Sequence, residues 1–144
     1  MKINGACHCG NISFVLDWPE AAVPIAVRAC SCSFCSKHGG VYASHTQAHL
    51  TANLSDPSQV SMYRFATRTA DFFLCLRCGA LPFITSLIDD HLYAVVNVNT
   101  FVEFDRSLLE TSRTDFAGET VESRLQRRSQ SWIPQVEIGE GAEV

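Results

Sequence analysis

An all-β domain is the reading this sequence favours, on three observations. Its apolar residues alternate in short runs instead of recurring every three or four positions, those runs are punctuated by Gly, Pro, Asn and Asp, and one stretch near the C-terminus alone carries a helical pattern. With 144 residues, 47% hydrophobic and 18% charged, the chain is large enough for one domain with a modest core. No internal repeat and no Gly/Ser-rich or Pro-rich linker divides it, so 1–144 reads as a single unit.

Taken in order, Ile12, Phe14 and Leu16 share one face of a first strand. Residues 25–29 and 41–44 follow as short β-branched or aromatic segments, and 53–58 reads as a turn. Val60, Met62, Arg64 and Ala66 give a looser two-residue pattern, after which 72–76, 81–85 and 92–98 complete seven expected strands. The pattern changes at 119–130, where Val121 and Leu125 lie among good helix formers and Arg124, Arg127 and Arg128 form the expected wet face. This helical extension, 118–136, closes on Trp132, Ile133 and Pro134 as an anchor and a stop, and the polar residues 137–144 read as a frayed tail.

Charge and composition exclude several classes of function. Eleven Lys and Arg against fifteen Asp and Glu give a net charge of -4, which offers no basic field for nucleic acid. The apolar run at 92–96 ends at Asn97 and Asn99, far short of a bilayer span, so no membrane partner is expected. Residues 1–10 lack a basic segment followed by an apolar one, and the seven cysteines are an odd number, which together argue against a secreted disulfide framework and for a soluble, cytoplasmic protein.

The cysteines fall into three groups: Cys7 and Cys9, then Cys30, Cys32 and Cys35, then Cys75 and Cys78. Thiolates are soft ligands suited to zinc, and two close pairs from distant segments complete a tetrahedral site. Seven thiols cannot fill two four-thiolate sites. Cys7, Cys9, Cys75 and Cys78 would close one structural zinc, with Gly10 and Gly79 supplying the positive φ each knuckle needs. That partition leaves Cys30, Cys32 and Cys35 as a three-ligand zinc site, the open arrangement associated with catalysis and suited to an incoming sulfur. The competing arrangements are His38 or His45 as a fourth ligand closing the second site, a redox Cys32–Cys35 pair, and free buried cysteine in the outer pairs. His8, His38, His45, His49 and His91 lie in no defined site, and none is assigned as a general base. Arg28, Lys37, Arg64, Arg68 and Arg77 are candidates for lining an anionic pocket, and the phenylalanines at 72, 73, 83, 101 and 104 read most simply as core.

These residues, namely Gly5-Ala6-Cys7-His8-Cys9-Gly10-Asn11-Ile12-Ser13-Phe14, the Cys30, Cys32 and Cys35 triplet, and Cys75, Cys78 and Gly79, resemble the glutathione-dependent formaldehyde-activating enzyme family, whose superfamily includes the centromere protein V group. The resemblance runs from about residue 3 to 104 and extends to Asp115-Phe116-Ala117-Gly118-Glu119 and Trp132. It implies an Mss4-like β fold, a structural zinc on Cys7, Cys9, Cys75 and Cys78, and a second, exchangeable zinc on Cys30, Cys32 and Cys35. It also implies carbon-sulfur lyase chemistry of the S-(hydroxymethyl)glutathione synthase type, with a small-molecule thiol and a small aldehyde as partners. Ser36 follows Cys35 where many members carry Arg, which leaves Lys37 or His38 as the nearby cations. The alternative class is a noncatalytic zinc-stabilised binding module, since fold alone does not fix function.

Overall fold

The computed structural model describes residues 1–116 and 118–141, so Ala117 and the end of the expected tail, 142–144, lie outside the described residues. Its strands are β1 (Lys2–Ala6), β2 (Ile12–Asp17), β3 (Ile25–Cys30), β4 (Val41–Ala43), β5 (His49–Leu54), β6 (Val60–Tyr63), β7 (Asp71–Cys75), β8 (Phe83–Ile88), β9 (His91–Asn97), β10 (Leu109–Thr114) and β11 (Gln135–Glu140). A one-turn helix α1 (Cys35–His38) follows β3, and α2 (Val121–Ser131) precedes β11. The strands form a four-stranded sheet in the order β1-β2-β5-β11 and a seven-stranded sheet in the order β10-β3-β4-β9-β8-β7-β6. The all-β expectation therefore holds.

Two-residue periodicity sorts the side chains of the larger sheet onto two faces. Val27, Ala43, Phe73, Phe83, Ala94 and Val96 point toward the smaller sheet, where they meet Ile12, Phe14 and Leu16 of β2 and Leu50, Ala52 and Leu54 of β5. Phe14 meets Phe83 edge-on with centroids 6.5 Å apart. Gly5 of β1 faces that phenylalanine, and a Cβ on it would overlap the Phe14 ring, so this position requires glycine. Each large side chain buried here contributes about 1.5–3 kcal/mol. On the opposite face, Tyr42, Phe72, Ile84 and Val95 form a second apolar cluster with Trp132.

Helix α2 covers part of that second face. Thr120 caps it by accepting the Ser123 N–H at 3.1 Å, and the chain then returns through Ile133, which exchanges backbone hydrogen bonds of 2.9 and 3.0 Å with Ala94. This anchor delivers the chain to β11, which pairs in parallel with β5. Residues 137–140 are thus strand and not a frayed tail: Val136 and Ile138 pack on the core, an alternation masked by the intervening Glu137 and Gly139.

Other differences have similar causes. The expected turn at 53–58 begins later, because Asn53 and Leu54 complete β5. The looser pattern after Val60 ends at Tyr63, and Ala66 (φ 53°) and Arg68 (φ 57°) lie in the connection to β7. The helix presents its arginines inward: Arg128 is 7% exposed whereas Val121 is 47% exposed, the reverse of the expected wet face.

Candidate functional site

Cys7 lies in the β1–β2 connection, and Cys75 ends β7 just before the knuckle that carries Cys78. Because Cys75 follows Phe73 by two residues it faces the core between the sheets, where Cys7 approaches from the other sheet. The four sulfurs of Cys7, Cys9, Cys75 and Cys78 lie within 4.8 Å of one another. The Cys7–Cys9 and Cys9–Cys75 separations are 3.8 and 3.6 Å, close to the ~3.8 Å edge of a tetrahedron of thiolates around zinc. Gly10 (φ 85°) and Gly79 (φ 80°) take the left-handed conformation expected of them. The Ile12 N–H donates to Cys7 Sγ at 3.2 Å.

Behind this cluster the two loops are tied through Asp56. Its backbone exchanges hydrogen bonds of 2.8 and 3.1 Å with the buried Asn11 side chain, and its carboxylate accepts from Arg77 at 3.0 Å. Burial pushes the Cys7 thiol up to about 12, against the Ile12 amide. Cys78, which burial would raise, is brought down to about 6 by the backbone amides of Ala80 and Cys9 and by the neighbouring thiols.

The second cluster lies on the other face of the larger sheet. Cys30 ends β3 on the same side as Arg28, Cys32 follows in the loop, and Cys35 opens α1. Their sulfurs also lie within 4.8 Å of one another, and no histidine, acid or further cysteine among the described residues joins them. The turn is fixed locally, with the Cys35 N–H donating to Cys32 Sγ at 3.3 Å and Gly39 (φ 67°) ending the helix. Ser31 joins it to β10, donating its N–H and hydroxyl to the Thr114 carbonyl at 3.1 and 2.8 Å. The Tyr42 hydroxyl lies 3.4 Å from Cys35 Sγ, and Gly40 makes room for it, since a Cβ there would overlap that hydroxyl.

The thiols of this cluster differ sharply in acidity. The Cys35 thiol, donating to Cys30, draws Cys30 down to about 5 in spite of burial. Cys35 moves upward because Cys30 is its acceptor, with burial adding to the effect, and burial likewise keeps the Tyr42 hydroxyl protonated. One thiolate is stable here alone; three require a cation among them. Both clusters therefore suit a metal ion such as zinc.

A cavity of about 520 Å³ opens over the three-cysteine cluster. Phe72, Ile84, Val95 and Trp132 supply an apolar wall, and Arg28, Arg124, Arg127 and Arg128 supply a cationic one. Arg127 is gripped by Glu119 through bonds of 2.8 and 3.0 Å and lies 3.7 Å from the centroid of Phe116. Arg128 donates to Thr69 and Ser86 hydroxyls at 2.9 and 3.1 Å, and its Nε is buried without a partner. Burial, with Arg124 and Arg127 nearby, lowers Arg128 to about 10.

Sequence reasoning missed α2's contribution to this wall, because a helix rich in arginine reads as solvated. Of the cations expected to line a pocket, only Arg28 does so. Arg64 pairs with Asp71 and Arg77 with Asp56. Lys37, Arg68 and His38 lie outside the cavity, with the His38 ring tilted against that of Phe34 at 4.4 Å. Neither His38 nor His45 joins the cysteine triplet; His45 packs 5.7 Å from Trp18. His49 faces Glu137 at 3.7 Å and His91 meets the Pro134 carbonyl at 2.6 Å, both remote from the cavity lining.

Comparison with known proteins follows the same lines. The glutathione-dependent formaldehyde-activating enzyme family matches residues 2–117. No curated protein matches the chain. Among solved structures, the crystal structure of a Rhodobacter sphaeroides protein, a Northeast Structural Genomics target, is similar with a TM-score of 0.56 at 25% identity, covering 77% of this chain and 99% of that one. Among the described residues no helix is long and apolar enough to cross a membrane. With its Mss4-like β architecture, its two cysteine clusters and a family match over most of its length, the chain belongs to the glutathione-dependent formaldehyde-activating enzyme family.

Proposed function

We propose that this protein is a zinc-dependent carbon-sulfur lyase-type enzyme that reversibly joins a small-molecule thiol, with glutathione as one candidate, and a small aldehyde such as formaldehyde. The observation that carries this reading is the three-cysteine cluster, with no fourth ligand among the described residues, at the foot of a cavity large enough for a small organic molecule. Cys7, Cys9, Cys75 and Cys78 would hold one zinc as a closed structural cross-link between the sheets, while Cys30, Cys32 and Cys35 would hold the second. Bound there, zinc would supply a Lewis-acidic position suited to a sulfur ligand.

The chain's own groups supply the rest. Arg28 and the α2 arginines attract an anionic thiol toward the cavity, and its apolar wall excludes water from the reacting atoms. In the addition, the thiol sulfur bonds to the aldehyde carbon, the carbonyl π electrons pass to oxygen, and the thiol's proton finishes on that oxygen; reversal releases both molecules. Tyr42 is a positioning residue, fixing Cys35 Sγ through its protonated hydroxyl.

The test is exchange NMR of ¹³C-formaldehyde with a panel of thiols. The zinc-loaded protein should speed exchange for at least one thiol, and Cys32→Ser should abolish the effect. Exchange no faster than in buffer for every pair, or undiminished in the variant, contradicts the reading.

A further inference from the structure

The cavity, of about 520 Å³, has an apolar and a cationic wall, and its charges are unevenly distributed. Four guanidiniums, of Arg28, Arg124, Arg127 and Arg128, surround it. The carboxylate of Glu119 is taken by Arg127 at 2.8 Å, with Arg124 at 3.9 Å. Arg28 donates to the neutral Ser44 hydroxyl at 3.1 Å, and Asp115 also lines the cavity. Among the described residues Arg128 donates to hydroxyl and carbonyl oxygens of Thr69 and Ser86, and its buried Nε has no hydrogen-bond partner.

Burying cations is costly, and a bound carboxylate would offset that cost through charge-assisted hydrogen bonds. Phe72, Ile84, Val95 and Trp132 give the cavity packed apolar surface, with the Arg128 guanidinium 5.0 Å from the centroid of the Trp132 ring. A ligand satisfying both walls has an anionic head and an apolar body. Arg124, Arg127 and Arg128 belong to α2, so most of the cationic wall is built by the C-terminal helix.

We propose that the cavity binds an organic acid with an apolar body, an aryl- or alkyl-carboxylate, its carboxylate held by Arg28 and the α2 arginines and its body against the Phe72, Ile84, Val95 and Trp132 wall. This rests on the thiol-aldehyde reading in one respect: the acid would be a part of one of the two reacting molecules.

The test uses probes that are neither thiol nor aldehyde, so it reads binding independently of turnover. Calorimetry on the zinc-loaded full-length protein compares 3-phenylpropionate, its neutral analogue 3-phenylpropan-1-ol, and acetate. The acid should bind at least about tenfold more tightly than either, and Arg28→Gln should remove most of its advantage over the alcohol. If that variant fails to fold, Arg127→Gln takes its place with the same expectation. Equal affinity for acid and alcohol, acetate binding as tightly as the phenyl acid, no binding by the wild type, or an acid advantage that survives the arginine substitution overturns the proposal. Acid binding without turnover of any thiol and aldehyde pair would instead sink the enzymatic reading alone, and turnover without acid binding would sink only this one.

Discussion

The two cysteine clusters use the same ligand chemistry on opposite faces of one sheet, and their surroundings differ. The cluster of Cys7, Cys9, Cys75 and Cys78 joins knuckles from both sheets at the edge of the main core, with four sulfurs and an Asp56 clasp behind it. The cluster of Cys30, Cys32 and Cys35 comes from a single β3–α1 turn, with three sulfurs and a cavity in front. A metal in the first links segments nearly 70 positions apart in the chain, Cys9 and Cys75 being 66 residues apart; a metal in the second constrains little that the local turn does not already fix. Under the proposed reading, ligand number and sequence separation, more than ligand type, would distinguish a cross-link from a reaction centre.

The comparison is broken most directly by removing a ligand from each cluster. Cys75→Ser should lower the melting temperature by at least about 15 °C, since a structural zinc contributes folding free energy outright. A melt coincident with the wild type by circular dichroism would contradict the cross-link. Cys32→Ser should instead shift the melt by less than about 5 °C while elemental analysis shows one zinc lost per chain. A smaller change sharpens the contrast: Gly40→Ala drives a methyl into the Tyr42 hydroxyl and should cost about 1–3 kcal/mol, measured by denaturant unfolding, with weakened metal binding confined to the second cluster.

The smallest effect is in pH dependence. Hydrogen bonding to Arg127, opposed by burial, holds the Glu119 carboxyl below its ordinary value. Its folded pKa is depressed, so its stabilisation is present above the unfolded value of about 4.3 and is lost as pH falls through the folded one. Wild type should therefore lose more stability than Glu119→Gln as pH falls below about 4.3, and parallel pH profiles of the two would show that the Glu119–Arg127 pair contributes nothing.

Much of this was legible in the sequence because metal ligation leaves a spacing signal that packing does not. The partition of the seven cysteines and the positive φ of Gly10 and Gly79 follow from coordination and knuckle geometry, and Ile12, Phe14 and Leu16 announce β2 by alternation alone. Strand β1 was hidden by Asn4 and Gly5, and the exposed edge strand β10, with Glu110, Thr111, Ser112 and Arg113 facing solvent, offers no apolar pattern. Strand β5 does alternate, burying Leu50, Ala52 and Leu54, yet Ala52 and Asn53 are weak strand formers and resemble the approach to a turn. Helix α2 was found but its orientation was not, because hydropathy assigns arginine to water and cannot register a helix whose arginines line a cavity.

The central claim is that one metal holds the fold and the other can leave it. Zinc-loaded protein titrated with a mild chelator, with released zinc and far-UV circular dichroism followed together, tests this in one experiment. The account predicts two zincs per chain, the first released with the spectrum unchanged and the second only as the fold is lost. Release of both in a single step with unfolding, or a single zinc per chain from the outset, would contradict it.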